Sequence, residues 1–168
     1  IAASNGADVT VNGGTYTANY PLYVYNSGGT VNVDGGEYNG NIASIKADDS
    51  QTSAVSTVNV TSGIFNGPIS VGSASELKLA DNTTMVETVD ANGRTAYVAA
   101  PADSDIAAFV GTTSYASLAE AFAAANEGDK IVIFKDIDVD AMIPVTKSVT
   151  LDLNGKTITV ENKGTGAL

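Results

Sequence analysis

The sequence predicts an all-β protein, a parallel β-solenoid of stacked coils, from three observations. A side-chain frame occurs three times, with its starts 22 and then 27 residues apart. Within each copy apolar and polar residues alternate, which is the period of a β-strand. A glycine follows each alternating run, as expected where a coil turns a corner with an unusual backbone conformation. Repeats of this kind are typical of solenoids, whereas a Greek-key sandwich does not repeat its side-chain frame.

The repeat frame reads V-x-V-x-(G/S)-G-x-(Y/F), and its copies occupy residues 9–16, 31–38 and 58–65. The alternation predicts that both valines point inward, that the polar residue between them points outward, and that the closing aromatic returns to the core. A second alternating stretch follows each copy, at residues 22–24, 42–45 and 69–71. One repeat therefore holds about three short strands, and residues 46–54 are predicted to loop out of a corner.

A short helix is predicted over residues 117–126. Ser117 and Glu120 form an S-x-x-E capping box, and Gly128 follows as a stop signal. The apolar side chains of this segment share one face of the helix. Such a helix suits the open end of a solenoid, where strand edges would otherwise be exposed.

Residues 86–98 are predicted to form a hairpin that ends the solenoid. They contain Asn92-Gly93 flanked by alternating apolar residues, a pattern typical of a type I′ turn. The sequence therefore predicts a β-helical part with its hairpin at 1–98, a linker at 99–105, and a further part at 106–168 that begins with the helix.

The repeat copies, together with residues 115–126, 128–133 and 148–155, resemble the right-handed parallel β-helix of pectate-lyase-like proteins. They look most like the version repeated in large surface proteins of gut Firmicutes and related bacteria. The resemblance covers nearly the whole chain. It implies a right-handed coil in a secreted or cell-surface bacterial protein, and it specifies the fold far better than an activity.

The composition excludes several classes of function. The 168 residues include 19 acidic and 8 basic side chains, for a net charge of −11, and neither cysteine nor histidine. Disulfides, cysteine nucleophiles and Ser-His-Asp triads are therefore excluded. The acidity disfavours nucleic acid and anionic membranes as partners, and no apolar run is long enough for membrane insertion.

The resemblance also suggests a polysaccharide-active enzyme, but the residues argue against this function. Lyases of this shape need a basic residue beside a calcium-binding carboxylate cluster, and the one arginine, Arg94, lies next to the hairpin turn. Glycosidases need two carboxylates that face each other across a cleft, and the sequence offers no such pair in matching register. We expect no catalytic residue and no enzymatic activity.

A fourth copy of the frame, at residues 151–158, follows the helix, so the cap lies in the middle of the sequence. If Leu168 were followed by Ile1 of another copy, coil starts would continue at intervals of 19 to 27 residues. We therefore expect residues 106–168 of one copy and residues 1–98 of a neighbouring copy to complete one β-helix.

Three arrangements fit this expectation: tandem repeats of a longer protein, separate subunits joined head-to-tail, or one chain closed on itself. Closure ranks third, because seven extended linker residues reach only about 23–25 Å while five gaps between coils span about 24 Å. The first two arrangements share one interface. Its predicted residues are Ile1, Val9 and Val11 on one copy and Leu153, Ile158 and Leu168 on the other.

The function predicted from these features is structural. The chain would be a self-assembling repeat or subunit of an extracellular filament or surface stalk, with other copies of itself as partners. The alternative is a carbohydrate-binding or adhesive module, because aromatic rings on a flat β face can stack on sugars. Its candidate ligand-binding residues are Tyr20, Tyr23 and Tyr25.

Calcium is the one cofactor that the carboxylates suggest. Asp136, Asp138 and Asp140 alternate after an apolar run, and Asp48 and Asp49 lie in the polar insertion. Carboxylate oxygens are the ligands that calcium prefers. The first group lacks the glycine and the distal glutamate of an EF-hand loop, and the competing interpretation is a solvated acidic face.

Overall fold

The computed structural model describes residues 1–161 and divides the chain into two compact units, Ile1–Pro101 and Ala102–Leu168. The predicted interface residue Leu168 lies outside the described residues. Across residues 1–161 strands predominate, beside one short helix, which confirms the predicted all-β class. No helix within this range has the length and apolar character needed to span a membrane.

The first unit consists of short strands joined by corners, and two strands long enough to pass through a corner. In chain order they are β1 (Ala2–Ala3), β2 (Ala7–Val11), β3 (Thr15–Ala18), β4 (Leu22–Val24), β5 (Gly29–Gly40), β6 (Ile45–Ala47), β7 (Ser56–Asn66), β8 (Ile69–Val71), β9 (Glu76–Leu79), β10 (Thr83–Val89) and β11 (Thr95–Pro101).

These strands stack into three parallel faces. The first face has the order β2-β5-β7-β9, and the second continues β3 through the later halves of β5 and β7. The third face has the order β1-β4-β6-β8. Because every one of these pairs is parallel and joins consecutive coils, the first unit is a parallel β-solenoid, as the repeat predicted.

The repeat frame sets the register of the coils. Val9 pairs with Val31 and Val31 with Val58, so each valine lies beside the equivalent valine of the next coil. The closing aromatics stack in the same way: the ring centroids of Tyr16 and Tyr38, and those of Tyr38 and Phe65, are 5.3 Å apart. Burial raises the pKa of the Tyr38 hydroxyl to about 12. The predicted inward and outward assignments are confirmed.

The hairpin of β10 and β11 is confirmed, but its predicted turn type is wrong. A type I′ turn needs positive φ at both central residues, whereas Gly93 has φ 74° and Asn92 lies outside the positive-φ region. The Asp90 carboxylate accepts hydrogen bonds from the N–H groups of Asn92 (2.8 Å) and Arg94 (2.9 Å). These bonds favour a type I turn followed by a left-handed glycine, the usual three-residue loop.

The predicted linker begins too early. Strand β11 runs to Pro101, and the strand pairs Ala99 with both Met85 and Gly63. Residues 99–101 therefore belong to the first unit, since their backbone is part of its sheet. Ala99 and Ala100 are buried, so this segment is part of a packed strand and not an exposed linker.

The second unit has its own short strands and the helix. They are β12 (Ala108–Val110), β13 (Thr113–Tyr115), α1 (Leu118–Ala124), β14 (Lys130–Ile133), β15 (Ile137–Val139), β16 (Thr150–Asp152) and β17 (Ile158–Val160). The pairs β14-β16 and β15-β17 are parallel, so two faces of a solenoid continue here. The antiparallel pair β12-β13, which the sequence analysis missed, covers the outer side of β14.

The helix caps the second unit as predicted. The N–H of Glu120 donates to the Ser117 hydroxyl at 3.2 Å, while the Glu120 carboxylate accepts from the N–H of Ala116. Leu118 and Ala121 are buried and pack with the isoleucines of β14 in one apolar cluster. This packing, rather than helix propensity, stabilises so short a helix.

We predict that Gly28→Ala destabilises the protein more than Gly93→Ala. Both glycines have φ +74°, so alanine introduces the same backbone strain at either position. A Cβ at Gly28 would overlap the carbonyl oxygen of Ala54, whereas nothing lies within 4 Å of a Cβ at Gly93. The overlap should cost a further 1–3 kcal/mol or so, roughly the penalty for overpacking, measured as the difference in unfolding free energy in urea. Equal losses in the two variants would show that the corner at Gly28 is not tightly packed.

Candidate assembly surfaces

The first unit has an open edge where its coils begin. We call the strands β2 and β3 the leading edge: each pairs with β5 on one side and with no other strand among residues 1–101. Unpaired backbone N–H and C=O groups along such an edge are a template for a further strand. Val9 and Tyr16 are only partly buried here, while their equivalents in the next coil, Val31 and Tyr38, are fully buried.

The three residues predicted on this side all lie in or beside the first coil. The amino group of Ile1 donates to the carbonyl of Pro21 at 2.8 Å, and Ile1 packs against the core. Val9 also packs against the core from the edge. Val11, however, is only 6% exposed, so it belongs to the interior of the first unit more than to its surface.

The third face of the first unit starts one strand earlier than the other two. Strand β1 precedes β2 in the chain and pairs with β4, the third-face strand of the first coil. Strand β1 therefore occupies the third position of a coil whose first and second positions are empty within residues 1–101. Two strands from elsewhere would be needed to complete the coil that contains β1.

The second unit also has an open edge. We call β16 and β17 the trailing edge: they pair with β14 and β15, and with no further strand among the described residues. Leu151 pairs with the fully buried Ile131, so it points to the same inner face, yet it is 39% exposed. Leu153 and Val160 are 44% and 48% exposed. Among the described residues no further strand pairs beside these apolar side chains.

The opposite ends of both units are protected. In the first unit the hairpin β10-β11 pairs with β7, and the neighbouring edge strand β9 carries a Glu76–Lys78 ion pair. Charges on an edge strand discourage further pairing. In the second unit β12, β13 and the helix lie over the outer side of β14. This protection is partial within the part of the chain that the structure describes, because β8 and β15 also pair on one side only.

The three candidate tyrosines do come together. The ring centroids of Tyr23 and Tyr25 are 4.1 Å apart and those of Tyr20 and Tyr23 are 5.5 Å apart. The ammonium of Lys46 lies 4.9 Å and 4.8 Å from the rings of Tyr20 and Tyr23. The Tyr23 hydroxyl donates to the Asp48 carboxylate, and this bond raises the pKa of Tyr23. The cluster is thus a packed surface feature in which the polar atoms of Tyr23, Lys46 and Asp48 bind one another.

The acidic candidates do not converge. Asp48 forms an ion pair with Lys46 at 3.2 Å, while Asp49 bonds to the next coil. Asp136 accepts from the N–H of Thr157 at 2.8 Å, and Asp138 and Asp140 are exposed. Among residues 1–161 no three acidic side chains are grouped so that they could hold a metal ion. The calcium site stays a prediction without a ligand cluster to support it.

Asp49 has a role that the sequence analysis missed. Its carboxylate accepts hydrogen bonds from the N–H of Ala74 (2.6 Å), from the N–H and hydroxyl of Ser73 (3.1 Å each), and from the hydroxyl of Ser75 (3.3 Å). These bonds, that of Ala74 foremost, lower the pKa of Asp49. Asp49 therefore fastens one corner to the next. Only the pairing of β6 with β8 brings these residues together, so sequence spacing alone gives no signal.

We predict that Asp49→Asn destabilises the protein at neutral pH and that this effect fades in acid. The folded pKa lies below the ordinary value of 3.8, so the carboxylate stabilises the fold above that pH. The stabilisation is lost as the pH falls through the folded pKa. Urea midpoints of both proteins between pH 7 and about 3 test this. Asp81→Asn, at an exposed turn, is the control, and a gap that widens in acid would contradict the assignment.

Comparison with known proteins gives no relative. No protein-family model matches the chain, and no curated protein or solved structure shows significant similarity to it. The β-solenoid is therefore established by strand pairing alone.

Proposed function

We propose that the chain is a structural, self-assembling repeat or subunit of an extracellular filament or surface stalk. In this proposal the trailing edge of one copy stacks on the leading edge of the next. The observation that carries it is the match of coil positions. Strands β16 and β17, which pair on one side only, hold the first and second positions of a coil, and β1, which pairs with β4, holds a third position. Stacked on the leading edge, these three strands would make one coil.

The apolar side chains at the two edges support the same contact. Leu151 on the trailing edge lies in an inward position without being buried, Leu153 directly after β16 is also exposed, and Val9 and Tyr16 on the leading edge are only partly buried. Covering apolar surface contributes about 25 cal/mol per Å². Each new backbone hydrogen bond adds about 0.5–1.5 kcal/mol net. Stacking the edges thus removes both kinds of exposed group at once.

The geometry of the contact makes the assembly open-ended. Two different surfaces meet, so each added copy presents a fresh edge, and a heterologous contact that does not close produces a fibre. The contact is the same whether the copies follow one another in a longer polypeptide or are separate chains. The extracellular setting rests on the resemblance to bacterial surface β-helices.

A carbohydrate-binding or adhesive role is the second candidate. The observation in its favour is Tyr25, whose ring is 44% exposed beside that of Tyr23. An exposed aromatic face can stack on a sugar ring. A glycan array separates the two candidates, because a pure scaffold binds no glycan, whereas an adhesive module loses its signal in a Tyr25→Ala variant.

We predict that the double substitution Leu153→Glu and Val160→Glu abolishes assembly while the fold is retained. Both side chains are exposed, Val160 on the trailing edge and Leu153 directly after β16, and carboxylates there would be buried without partners at the contact. Static light scattering over a concentration series measures assembly, and circular dichroism checks the fold. Aspartate at Val9 and Val11 is a poorer test, because Val11 is buried and its replacement would damage the core.

The matched control is the pair Ile42→Glu and Val55→Glu. These residues are 54% and 49% exposed in the first unit and lie on neither edge. They add the same charge without touching the contact, so assembly should persist. Unchanged scattering in the trailing-edge variant, or equal loss in the control, would contradict the proposal.

A further inference from the structure

We infer that the junction forms in a single register, in which Leu151 lies beside Val9 and Ile158 lies beside Tyr16. This inference rests on the proposed assembly and specifies its contact residue by residue. On the first face Thr150, Leu151 and Asp152 would continue the columns of Asp8, Val9 and Thr10. On the second face Ile158, Thr159 and Val160 would continue those of Tyr16, Thr17 and Ala18.

Strand spacing favours this register. In the first unit the closing aromatic follows the first valine by seven residues in each of three coils, as in Val9 to Tyr16, and both strands pair in register. Leu151 and Ile158 are also seven residues apart. In the preceding coil of the second unit, the residues that pair with Leu151 and Ile158 are Ile131 and Ile137, which are six residues apart. The trailing edge therefore adopts the spacing of the unit on which it would stack.

The corners align in the same register. Gly155 has φ 71°, and it would lie beside Gly13, with φ 85°, which itself stacks against Gly35 of the next coil. A slip of two residues would place this left-handed corner against extended strand. A slip of one residue would turn every apolar side chain to the outer face.

Charge opposes one slip directly. In the inferred register Asp152, whose carboxylate lies 2.7 Å from the ammonium of Lys130, faces the neutral Thr10. Thr10 pairs with Asn32, which accepts a 2.7 Å hydrogen bond from Asn59, so a polar ladder would run through the junction. If the trailing edge moved two residues toward the start of β2, Asp152 would face Asp8. Like charges directly opposite on neighbouring strands destabilise the pair.

The aromatic stack gives a further reason. Tyr16 ends a column of three rings whose planes are within 9° and 11° of parallel. Its outer face is uncovered, whereas Tyr38 and Phe65 are fully buried. The inferred register places the apolar Ile158 on that face and buries it.

Disulfide trapping tests the register, because the chain contains no cysteine. Two single variants of the full chain, Thr17→Cys and Thr159→Cys, are mixed, oxidised and run on a denaturing non-reducing gel. In register their Cα atoms lie about 4.8 Å apart, within disulfide range. Two further mixtures report slips of two residues, one in each direction: Thr15→Cys with Thr159→Cys, and Thr17→Cys with Thr157→Cys. A disulfide forms in one of these mixtures only if the edges pair in the corresponding slipped register. All four threonines are exposed.

The expected result is a covalent dimer from the in-register mixture and none above single-variant background from the slipped mixtures. In the inferred register each slipped pair is displaced by two residues, so its Cα atoms are about 8 Å apart, too far to bridge. A dimer from a slipped mixture instead would overturn the register while leaving head-to-tail assembly intact. Large particles in light scattering without any dimer would overturn the edge-to-edge contact itself. Absence of both particles and dimer would overturn the proposed function together with the register.

Discussion

In-register stacking of parallel coils is the constraint on which the rest of this structure depends. Because each residue lies beside its equivalent in the next coil, valines form columns, aromatic rings form a stack, and Asn59 bonds to Asn32. The same stacking satisfies the backbone groups of every inner strand. It also explains the low charge content, since an ionised residue at a repeated position would face its own kind.

A stack of coils has two ends, and in each unit these two ends differ. One end of each is covered by non-repeating structure: the hairpin β10-β11 in the first unit, and the helix with β12 and β13 in the second. These segments break the repeat so that pairing stops. The other end of each keeps the repeat and leaves apolar positions exposed, as at Leu153. In the proposed assembly this asymmetry would make growth directional, because a further copy would add at an open edge.

Much of the fold follows from local sequence signals. The alternation around Val31 and Val33, the glycine corners and the capping box at Ser117 each report a local backbone preference, and the structure confirms them. Features that depend on contacts across the coils were not predictable. The Asp90 carboxylate selects the hairpin turn, and Asp49 fastens a corner of the following coil. Val11 was correctly predicted to point inward, but its nearly complete burial within the first unit depends on contacts that the repeat frame does not show.

The most direct test of the central claim is electron microscopy of the purified full chain, with fibre diffraction from aligned material. Edge-to-edge stacking predicts unbranched filaments whose strands run across the filament axis, with a meridional reflection at about 4.8 Å from coil-to-coil spacing. A folded chain that stays as discrete monomers at every concentration, or filaments without that axial spacing, would contradict it.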